Sequence, residues 1–138
     1  MNLIFRTPSG NEFEQICGHI REFELDDRDL QPEQFTAAFR DGELVGFGRL
    51  RKHADCTELC SLGVVASQRR KGIGKALVAE LVRNGPSTIY LSCIIPGFFT
   101  GQGFLITGTF PASMRDKLYY CSSELPVPET YVVMVFIR

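Results

Sequence analysis

The chain has 138 residues, a length that fits one domain and can bury a core without metal or disulfide staples. Its hydrophobic fraction is 44%, its charged fraction is 22%, and its formal net charge is −1. These values are typical of globular proteins and argue against a global attraction to nucleic acid or to a membrane. We therefore predict one domain over residues 1–138, in which any basic patch is local.

The cysteines and the apolar runs of the chain bear on its compartment. Five cysteines occur without CxxC or other metal-ligand spacing, which predicts free thiols in a reducing compartment and no metal site. The first ten residues lack the apolar core of a signal peptide. No apolar run approaches the ~20 residues that a membrane span requires. The sequence thus predicts a cytoplasmic protein without a membrane segment.

The N-terminal half of the chain predicts one strand, one helix and an antiparallel meander. The dipeptide Asp41-Gly42 is a strong hairpin signal between two runs of strand-like residues. The predicted elements of this half are a strand at Leu3–Arg6, a helix at Asn11–Phe23, a loop or short helix at Gln31–Phe35, and strands at 35–40, 44–51 and 57–65.

The C-terminal half returns to helical periodicity and then to strands. Ile73, Leu77 and Leu81 form one apolar stripe, and Gly85-Pro86 is a helix stop signal. The predicted elements are a helix at 73–84, strands at 88–95, 104–110 and 131–137 (the last fully buried), a short helix at 111–119, and a loop at 122–130. The sum predicts a mixed α/β domain built on one central sheet.

A basic turn with two glycines lies between the strand at 57–65 and the helix at 73–84. The first turn of a helix presents unpaired N–H groups and the positive end of the helix dipole, so it binds anions. Gly72 and Gly74 lack Cβ, which allows phosphate oxygens to approach the backbone closely. Arg69, Arg70 and Lys71 add local positive charge. The turn is therefore a candidate phosphate site.

Three phosphate-binding motifs compete for this turn. A P-loop requires Ser or Thr after its lysine, but Lys75 is followed by Ala76. A dinucleotide fingerprint requires a third glycine where Leu77 stands. The pattern [Q/R]xxGx[G/A] is matched completely by residues 69–74. A nucleic-acid patch would require more basic residues with interleaved aromatics. A solvated loop that caps the helix remains the simplest alternative.

The segment from Val64 to Leu77 resembles motif A of the GNAT superfamily of N-acetyltransferases. Downstream, Phe98–Phe104 (FFTGQGF) resembles the FY-x-x-x-GF segment of that family. The resemblance covers about residues 41–104. It implies a mixed sheet in which an antiparallel meander is followed by splayed parallel strands, with helices on both faces. It also implies transfer of an acetyl group from acetyl-CoA to a primary amine of a small molecule or peptide by direct attack.

The resemblance also assigns cofactor-binding residues. Acetyl-CoA would lie where the strand ending at Val65 and the strand at 88–93 splay apart. Backbone groups of Leu62, Gly63 and Val64 would pair with the pantetheine arm, and the Val64 N–H would stabilise the developing oxyanion. The pyrophosphate would be held by the basic turn, that is, by Arg69, Arg70, Lys71, Gly72, Ile73, Gly74 and Lys75.

Glu58 is the candidate general base for the acceptor amine. Strand alternation would place it on the same face as Leu62 and Val64. It lies 11 residues before Arg69, as does the catalytic glutamate of the histone-acetyltransferase-like members that the motif resembles. An exposed strand residue without a role in catalysis is the alternative. The histidines, His19 and His53, are predicted to be isolated residues.

The general acid is left open by the sequence. Phe99 stands where many members of the family have a tyrosine, and it has no hydroxyl; it would pack against the pantetheine or the core. Water could protonate the leaving thiolate. The hydroxyl groups that could do so are those of Ser92, Thr100, Tyr119 and Tyr120.

Other functions compatible with the sequence are a non-catalytic acyl-CoA-binding or regulatory module, which Phe99 favours, and a nucleotide or nucleic-acid binder that uses the basic turn.

The acceptor would contact residues 22–34 and 110–130. The acidic side chains of the first segment would suit a cationic amine, although a solvated face is the simpler interpretation. The FFTGQGF turn and the later Leu125-Pro126 resemble the corresponding segments of small GNAT members akin to the acetyltransferase domain of acetylglutamate synthase. This resemblance favours an amino-acid-like acceptor. The sequence is compatible with a homodimer.

Overall fold

The computed structural model describes residues 2–138, which form seven strands and four α-helices. The elements are β1 (Ile4–Arg6), α1 (Gly10–Glu22), β2 (Phe35–Arg40), β3 (Glu43–Lys52), β4 (Thr57–Val64), α2 (Ile73–Asn84), β5 (Thr88–Cys93), α3 (Pro96–Thr100), β6 (Leu105–Ile106), α4 (Ala112–Glu124) and β7 (Val132–Ile137). The described strands form one sheet in the order β1-β2-β3-β4-β5-β7-β6. This sheet confirms the predicted mixed α/β fold.

The chain divides into two compact units, and strand β4 contributes residues to both. The first unit comprises the chain up to Leu50 together with Ser61–Asn84, and the second comprises Arg51–Cys60 together with Gly85–Arg138. The first unit therefore holds the end of β4 and the basic turn. The second holds the start of β4, including Glu58.

Helix α1 begins at a capping box in the first unit. The Ser9 N–H donates to the Glu12 carboxylate over 2.7 Å, and the Ser9 hydroxyl accepts the Glu12 N–H over 3.5 Å. One turn further on, Ile16 and Ile20 are buried in a cluster with Phe35 and other residues of β2 and β3. The predicted helix is thus confirmed, because its apolar spacing matches the face that it buries.

The hairpin between β2 and β3 confirms its sequence signal. Asp41 and Gly42 have φ angles of 51° and 79°, the left-handed values that a two-residue type I′ turn requires. The strands are antiparallel, with Arg40 opposite Glu43 and Phe35 opposite Arg49. In this way β2 and β3 form the first part of the predicted meander.

The first unit has helices on both faces of β2. Ala37 belongs to the apolar cluster of α1, whereas the next residue, Ala38, packs with Ile73 and Leu77 of α2. Successive side chains of a strand point to opposite faces, so the two helices cover opposite sides of the strand. The bounds of α2 agree with the predicted 73–84.

In the second unit, β5 lies between a parallel and an antiparallel neighbour. Glu58 of β4 pairs with Tyr90 of β5 in parallel, as predicted. On its other side, β5 pairs antiparallel with β7 from Thr88↔Ile137 to Cys93↔Val132. Helix α4 packs against β5 and β7. Its buried residues are spaced as one helical face, and they are Met114, Lys117 and Cys121.

Several predicted boundaries near the C-terminus are wrong. The strand predicted at 104–110 is reduced to Leu105–Ile106, because Thr107 turns the chain by bonding through its hydroxyl to the backbone of Thr109. Helix α4 continues to Glu124, so the predicted loop begins later. The short helix α3 was not predicted. Strand β7 is not fully buried, since Ile137 is 69% exposed. Within residues 2–138, no helix has both the length and the apolar character needed to cross a membrane.

Candidate functional site

Strand β4 is irregular at Ser61, whose φ of 52° lies in the left-handed region. The Ser61 hydroxyl donates to the Asp26 carbonyl over 2.7 Å and accepts from Arg49 Nε over 2.9 Å. These two bonds favour a conformation that few non-glycine residues adopt. Regular alternation therefore stops at Ser61. The alternation from which Glu58 and Val64 are expected to share one face is thus interrupted between them, and their common face stays a prediction.

Beyond Ser61, β4 is packed tightly in the first unit. Leu62 and Val64 pack against the apolar cluster of α2, whereas Gly63 faces the ring of Phe47. A Cβ at Gly63 would lie only 2.5 Å from Phe47 Cζ, so only glycine fits there without movement of the ring. This packing fixes the three residues that the sequence predicts to pair with pantetheine.

The amide of Val64 points away from strand β3. The next amide, that of Val65, donates to the Val45 carbonyl over 2.9 Å. Successive N–H groups of a strand point to opposite edges, so the Val64 N–H is directed to the other edge of β4. A fixed N–H at the end of a strand is a suitable donor to a developing oxyanion.

The basic turn leads from β4 into helix α2. A single 3₁₀ turn at Ala66–Gln68 is followed by Arg70 with φ 64° and Gly72 with φ 80°. The N–H of Ala76 bonds to the Gly72 carbonyl, so the preceding amides of the helix have no partner within it. The first turn of α2 contains no acidic residue that would compete for an anion.

The side chains of the turn divide into anchors and exposed groups. Ile73 is 1% exposed and ties the start of α2 to the core. Gly74 is half-buried. The exposed residues of the turn, which surround these free amides, are Arg69, Arg70, Lys71, Gly72 and Lys75. Free amides, a helix dipole and four cationic side chains make the turn a site for a polyanion.

Arg69 lies across the base of the turn. Its Nε donates to the Val64 carbonyl over 3.0 Å, and its guanidinium lies 4.7 Å from the centre of the Phe23 ring. Both contacts hold the side chain against the first unit. The geometry thus gives Arg69 a role in bracing the turn, in addition to the positive charge that it carries.

Buried Arg49 organises the segment between α1 and β2. It is fully buried, and its guanidinium donates to Gln34 Oε1 over 2.9 Å and to the Asp26 carbonyl over 3.2 Å. The Asp26 carboxylate is itself buried and accepts from Arg28 over 2.9 Å. Part of the acidic stretch at 22–34 is therefore structural, and Asp26, which is buried and ion-paired, does not belong to a solvated face.

Glu58 lies in the second unit as part of a buried polar cluster. Its side chain is completely buried, so the alternative of an exposed strand residue is wrong. One oxygen, Oε1, is 2.9 Å from His53 Nε2, and the other, Oε2, is 2.6 Å from Lys117 Nζ. Sequence reasoning missed both partners, and His53 is not isolated as predicted. The one sequence signal for the His53–Glu58 contact is the short connection between β3 and β4, which keeps the two residues close in space.

The turn that carries His53 is fixed at both ends. The His53 N–H donates to the Cys56 carbonyl over 2.8 Å. The Asp55 carboxylate accepts the Ser113 N–H over 3.0 Å, and bonds from the side chain and backbone of Ser113 lower the pKa of Asp55. This carboxylate thereby serves the N-terminal turn of α4, whose own N-cap is Pro111. The turn is thus tied to the helix that supplies Lys117.

Burial keeps the neighbouring thiol neutral. Burial first, and then the charges of Asp55 and Glu58, raise the pKa of Cys56 to about 12. A thiol with that pKa is a poor nucleophile at neutral pH, because the thiolate is the reactive form. Covalent catalysis by Cys56 is therefore disfavoured.

Phe99 packs within the second unit. It is 5% exposed, and its ring meets the rings of Phe98 and Phe104 at centroid distances of 4.9 Å and 5.8 Å. Among the hydroxyl candidates, Thr100 donates to the Pro96 carbonyl over 2.7 Å, and Tyr119 is 77% exposed. The Ser92 hydroxyl oxygen is buried and has no hydrogen-bond partner within residues 2–138.

The fold and the basic turn together define a class of protein. A meander, a parallel β4–β5 pair and a glycine-containing turn that opens α2 are the features of the acetyltransferase fold. The sequence model of the acetyltransferase (GNAT) family matches residues 4–97, which is more than half of the chain. The chain belongs to this family. Comparison with curated proteins gave no match.

Solved structures of proteins complexed with coenzyme A share the fold of the chain. N-acetylglutamate synthase from Neisseria gonorrhoeae, complexed with coenzyme A and N-acetyl-glutamate, has a TM-score of 0.77 and 19% identity, over 99% of this chain and 35% of its own. This chain thus spans about a third of that protein. Rv2747 from Mycobacterium tuberculosis, complexed with CoA, has a TM-score of 0.76 and 16% identity, over 98% of this chain and 99% of its own. Diaminobutyrate acetyltransferase EctA from Paenibacillus lautus has a TM-score of 0.66 and 18% identity, over 99% and 95%.

Proposed function

We propose that the chain is an N-acetyltransferase that moves the acetyl group of acetyl-CoA to a primary amine of a small molecule or peptide. The observation that carries the proposal is the turn between β4 and α2, in a chain of the GNAT family. Similar structures support it: N-acetylglutamate synthase and Rv2747 are complexed with CoA. EctA is complexed with coenzyme A and its substrate, L-2,4-diaminobutyric acid.

The proposed cofactor site runs from the end of β4 into the first turn of α2. Backbone groups of Leu62, Gly63 and Val64 would pair with the pantetheine arm. The residues proposed to hold the pyrophosphate are those of the basic turn, namely Arg69, Arg70, Lys71, Gly72, Ile73, Gly74 and Lys75. Acetyl-CoA supplies an activated thioester, and its polyanionic end suits the exposed amides and cations of this turn.

The proposed chemistry requires an oxyanion donor and a proton acceptor. The direction of the Val64 N–H supports it as the donor to the thioester oxygen. Glu58, a buried carboxylate of the second unit, is the residue proposed to serve proton removal. Because its side chain is completely buried, Glu58 would act in proton removal through a neighbouring group and not by direct contact with the amine. Phe99 has no hydroxyl and serves packing.

The acceptor is proposed to be a small amine or a peptide amine, with an amino-acid-like molecule favoured. Two structural neighbours with bound acceptor or product support this choice. EctA is complexed with its substrate, L-2,4-diaminobutyric acid, and the synthase is complexed with N-acetyl-glutamate.

Residues 1–138 are proposed to act as one acetyltransferase domain. A cytoplasmic location is also proposed, and it is supported by five free cysteines in the described chain.

A second candidate function is acyl-CoA binding without catalysis. The burial of Phe99, at the position of the usual tyrosine acid, favours it. The two functions differ in one measurement, because only the enzyme releases CoA when an amine is added.

Calorimetric titration with acetyl-CoA, followed by a thiol-release assay over a panel of amines, tests the proposal. Gly74→Glu should weaken acetyl-CoA binding at least tenfold, about 1.4 kcal/mol, because a carboxylate would stand beside the pyrophosphate. The matched control is Gly108→Glu, at an exposed glycine whose added Cβ would meet no atom within 4 Å. Equal binding by both variants would contradict the assigned site. Tight binding without amine-dependent release would establish the second function.

A further inference from the structure

We propose that His53 is the group that takes the proton from the acceptor amine, with Glu58 and Lys117 as positioning residues. This inference deepens the proposed function and rests on it. The side chains of Glu58 and Lys117 are 0% and 5% exposed, whereas that of His53 is 17% exposed. Of the three, His53 is therefore the residue that a substrate or a water molecule can reach.

The cluster selects one tautomer of His53. Lys117 Nζ lies 2.6 Å from Glu58 Oε2, an ion pair in which the carboxylate is charged and acts only as an acceptor. His53 Nε2 lies 2.9 Å from Glu58 Oε1, so Nε2 carries the hydrogen and donates it. The lone pair of the neutral ring is then on Nδ1. Within residues 2–138, His53 Nδ1 makes no hydrogen bond, and it is free to act as a base.

Glu58 offers the His53 ring a charged hydrogen-bond partner. The Glu58 and Lys117 charges compensate each other before proton transfer. When Nδ1 takes a proton, the ring becomes a cation hydrogen-bonded to Glu58, and a charge-assisted bond is roughly twice as strong as a neutral one. The burial of Glu58 protects this bond from water. The carboxylate thus orients the ring through the Nε2 hydrogen bond, while it keeps no proton itself.

Other titratable groups around His53 do not replace it. The pKa of Cys56 is raised to about 12 by burial, and that of Asp55 is lowered by its bonds to Ser113, so neither changes charge near neutral pH. The other charged or titratable groups on the elements that carry the cluster or pack against it are Glu43, Arg49, Arg51 and Lys52 on β3, Glu58 and Cys60 on β4, Tyr90 and Cys93 on β5, and Arg115, Asp116, Lys117, Tyr119, Tyr120, Cys121 and Glu124 on α4. None of these groups is an imidazole, the side chain that most often serves as a general base, whereas His53 is one.

The proposed step balances in protons and bonds. Neutral His53 Nδ1 takes one proton from the substrate ammonium group, which leaves a free amine. The amine nitrogen attacks the thioester carbonyl carbon, a C–N bond forms, and the C–S bond breaks. The second proton of the nitrogen goes to the departing CoA thiolate, and the imidazolium returns its proton to water. No oxidant, metal or further reactant takes part.

The experiment compares His53→Ala with wild type in kcat/KM for an amine that wild type acetylates. We expect a loss of about 10²–10³-fold, the usual size of a general-base effect, and partial rescue by added imidazole. His53→Gln should be equally slow but without rescue, and it serves if His53→Ala does not fold. Affinity for acetyl-CoA should be unchanged in both. The control is His19→Gln, whose ring contacts Glu22 on α1 and is outside the cluster.

Two outcomes would overturn the inference while the proposed function stands: full activity of His53→Ala or His53→Gln, or a loss of activity in folded His53→Ala that imidazole does not rescue. If wild type transfers to no amine, the proposed function fails, and a second readout still decides the His53 assignment. Long-range ¹H–¹⁵N spectra of the wild-type protein should show a protonated Nε2 and an unprotonated Nδ1 on His53. The opposite tautomer would overturn the assignment whatever the activity.

Discussion

The ion pair between Glu58 and Lys117 gives the sharpest test of the buried cluster. Lys117→Met removes the ammonium that lies 2.6 Å from Glu58 Oε2 and keeps most of the apolar stem. Coulomb's law at an effective dielectric constant of about 20 gives the pair an attraction of about 6 kcal/mol. Part of this attraction offsets the desolvation of the two charges. Removal of one partner leaves the other charge buried and uncompensated, which costs about 3–5 kcal/mol.

Urea unfolding of the two proteins measures this effect. The free energy of unfolding of Lys117→Met should be lower than that of wild type by about 3–5 kcal/mol. Arg115→Met is the matched control on the same helix, since Arg115 is exposed and its replacement should change stability by less than about 0.5 kcal/mol. A loss below about 1 kcal/mol for Lys117→Met would refute the reasoning, because a pair exposed to water contributes only that much.

Three further predictions concern the rest of the chain. Gly63→Ala should destabilise the protein by about 1–3 kcal/mol in urea unfolding, because the added methyl group would lie 2.5 Å from Phe47 Cζ, and a loss below about 0.5 kcal/mol would show that the ring moves freely. The side-chain bond from Arg6 lowers the pKa of Glu12 from 4.5 to about 2. A lowered folded-state pKa gives stability that is present above pH 4.5 and lost as the pH falls through about 2, so the melting temperature of wild type should exceed that of Glu12→Gln at pH 6 and converge with it near pH 2; a constant difference would contradict this. Cys56, with a pKa of about 12, should resist iodoacetamide at pH 8 in the folded protein and react after unfolding, as peptide mapping would show; rapid modification of the folded protein would contradict its burial.

The sequence predicted those features that depend on neighbouring residues. The stripe of Ile73, Leu77 and Leu81 and the Gly85-Pro86 stop give α2 the bounds that the structure shows. The Asp41-Gly42 pair forms the expected turn, since each residue tolerates a positive φ. The basic turn could be found because its glycines, its charges and the helix that follows are contiguous in the chain.

The features that the sequence did not predict depend on contacts between distant residues. Ser61 adopts a positive φ because Arg49 and the Asp26 carbonyl bond to its hydroxyl, and neither partner is near it in the chain. Such contacts change the alternation of β4 without a local signal. The shortness of β6 has a more local cause, the Thr107 turn.

The buried cluster shows the same limit at the candidate site. Lys117 lies on the buried face of α4 with Met114 and Cys121, although a lysine normally marks an exposed position. The burial of the Lys117 charge is explained by its ion pair with Glu58, which lies on β4 and is distant in the chain. Glu58 itself was selected by its spacing from Arg69, and its role in proton transfer stays a prediction.

The central claim, acetyl transfer to an amine, is tested most directly by the product. The protein would be incubated with [1-¹³C]acetyl-CoA and a panel of amino acids, diamines and peptides, and the mixtures analysed by mass spectrometry. Direct attack predicts a ¹³C-labelled N-acetyl product equal in amount to the CoA released, with no label on the protein. Release of CoA without a labelled amine, or a stable acetyl group on the protein, would contradict the claim.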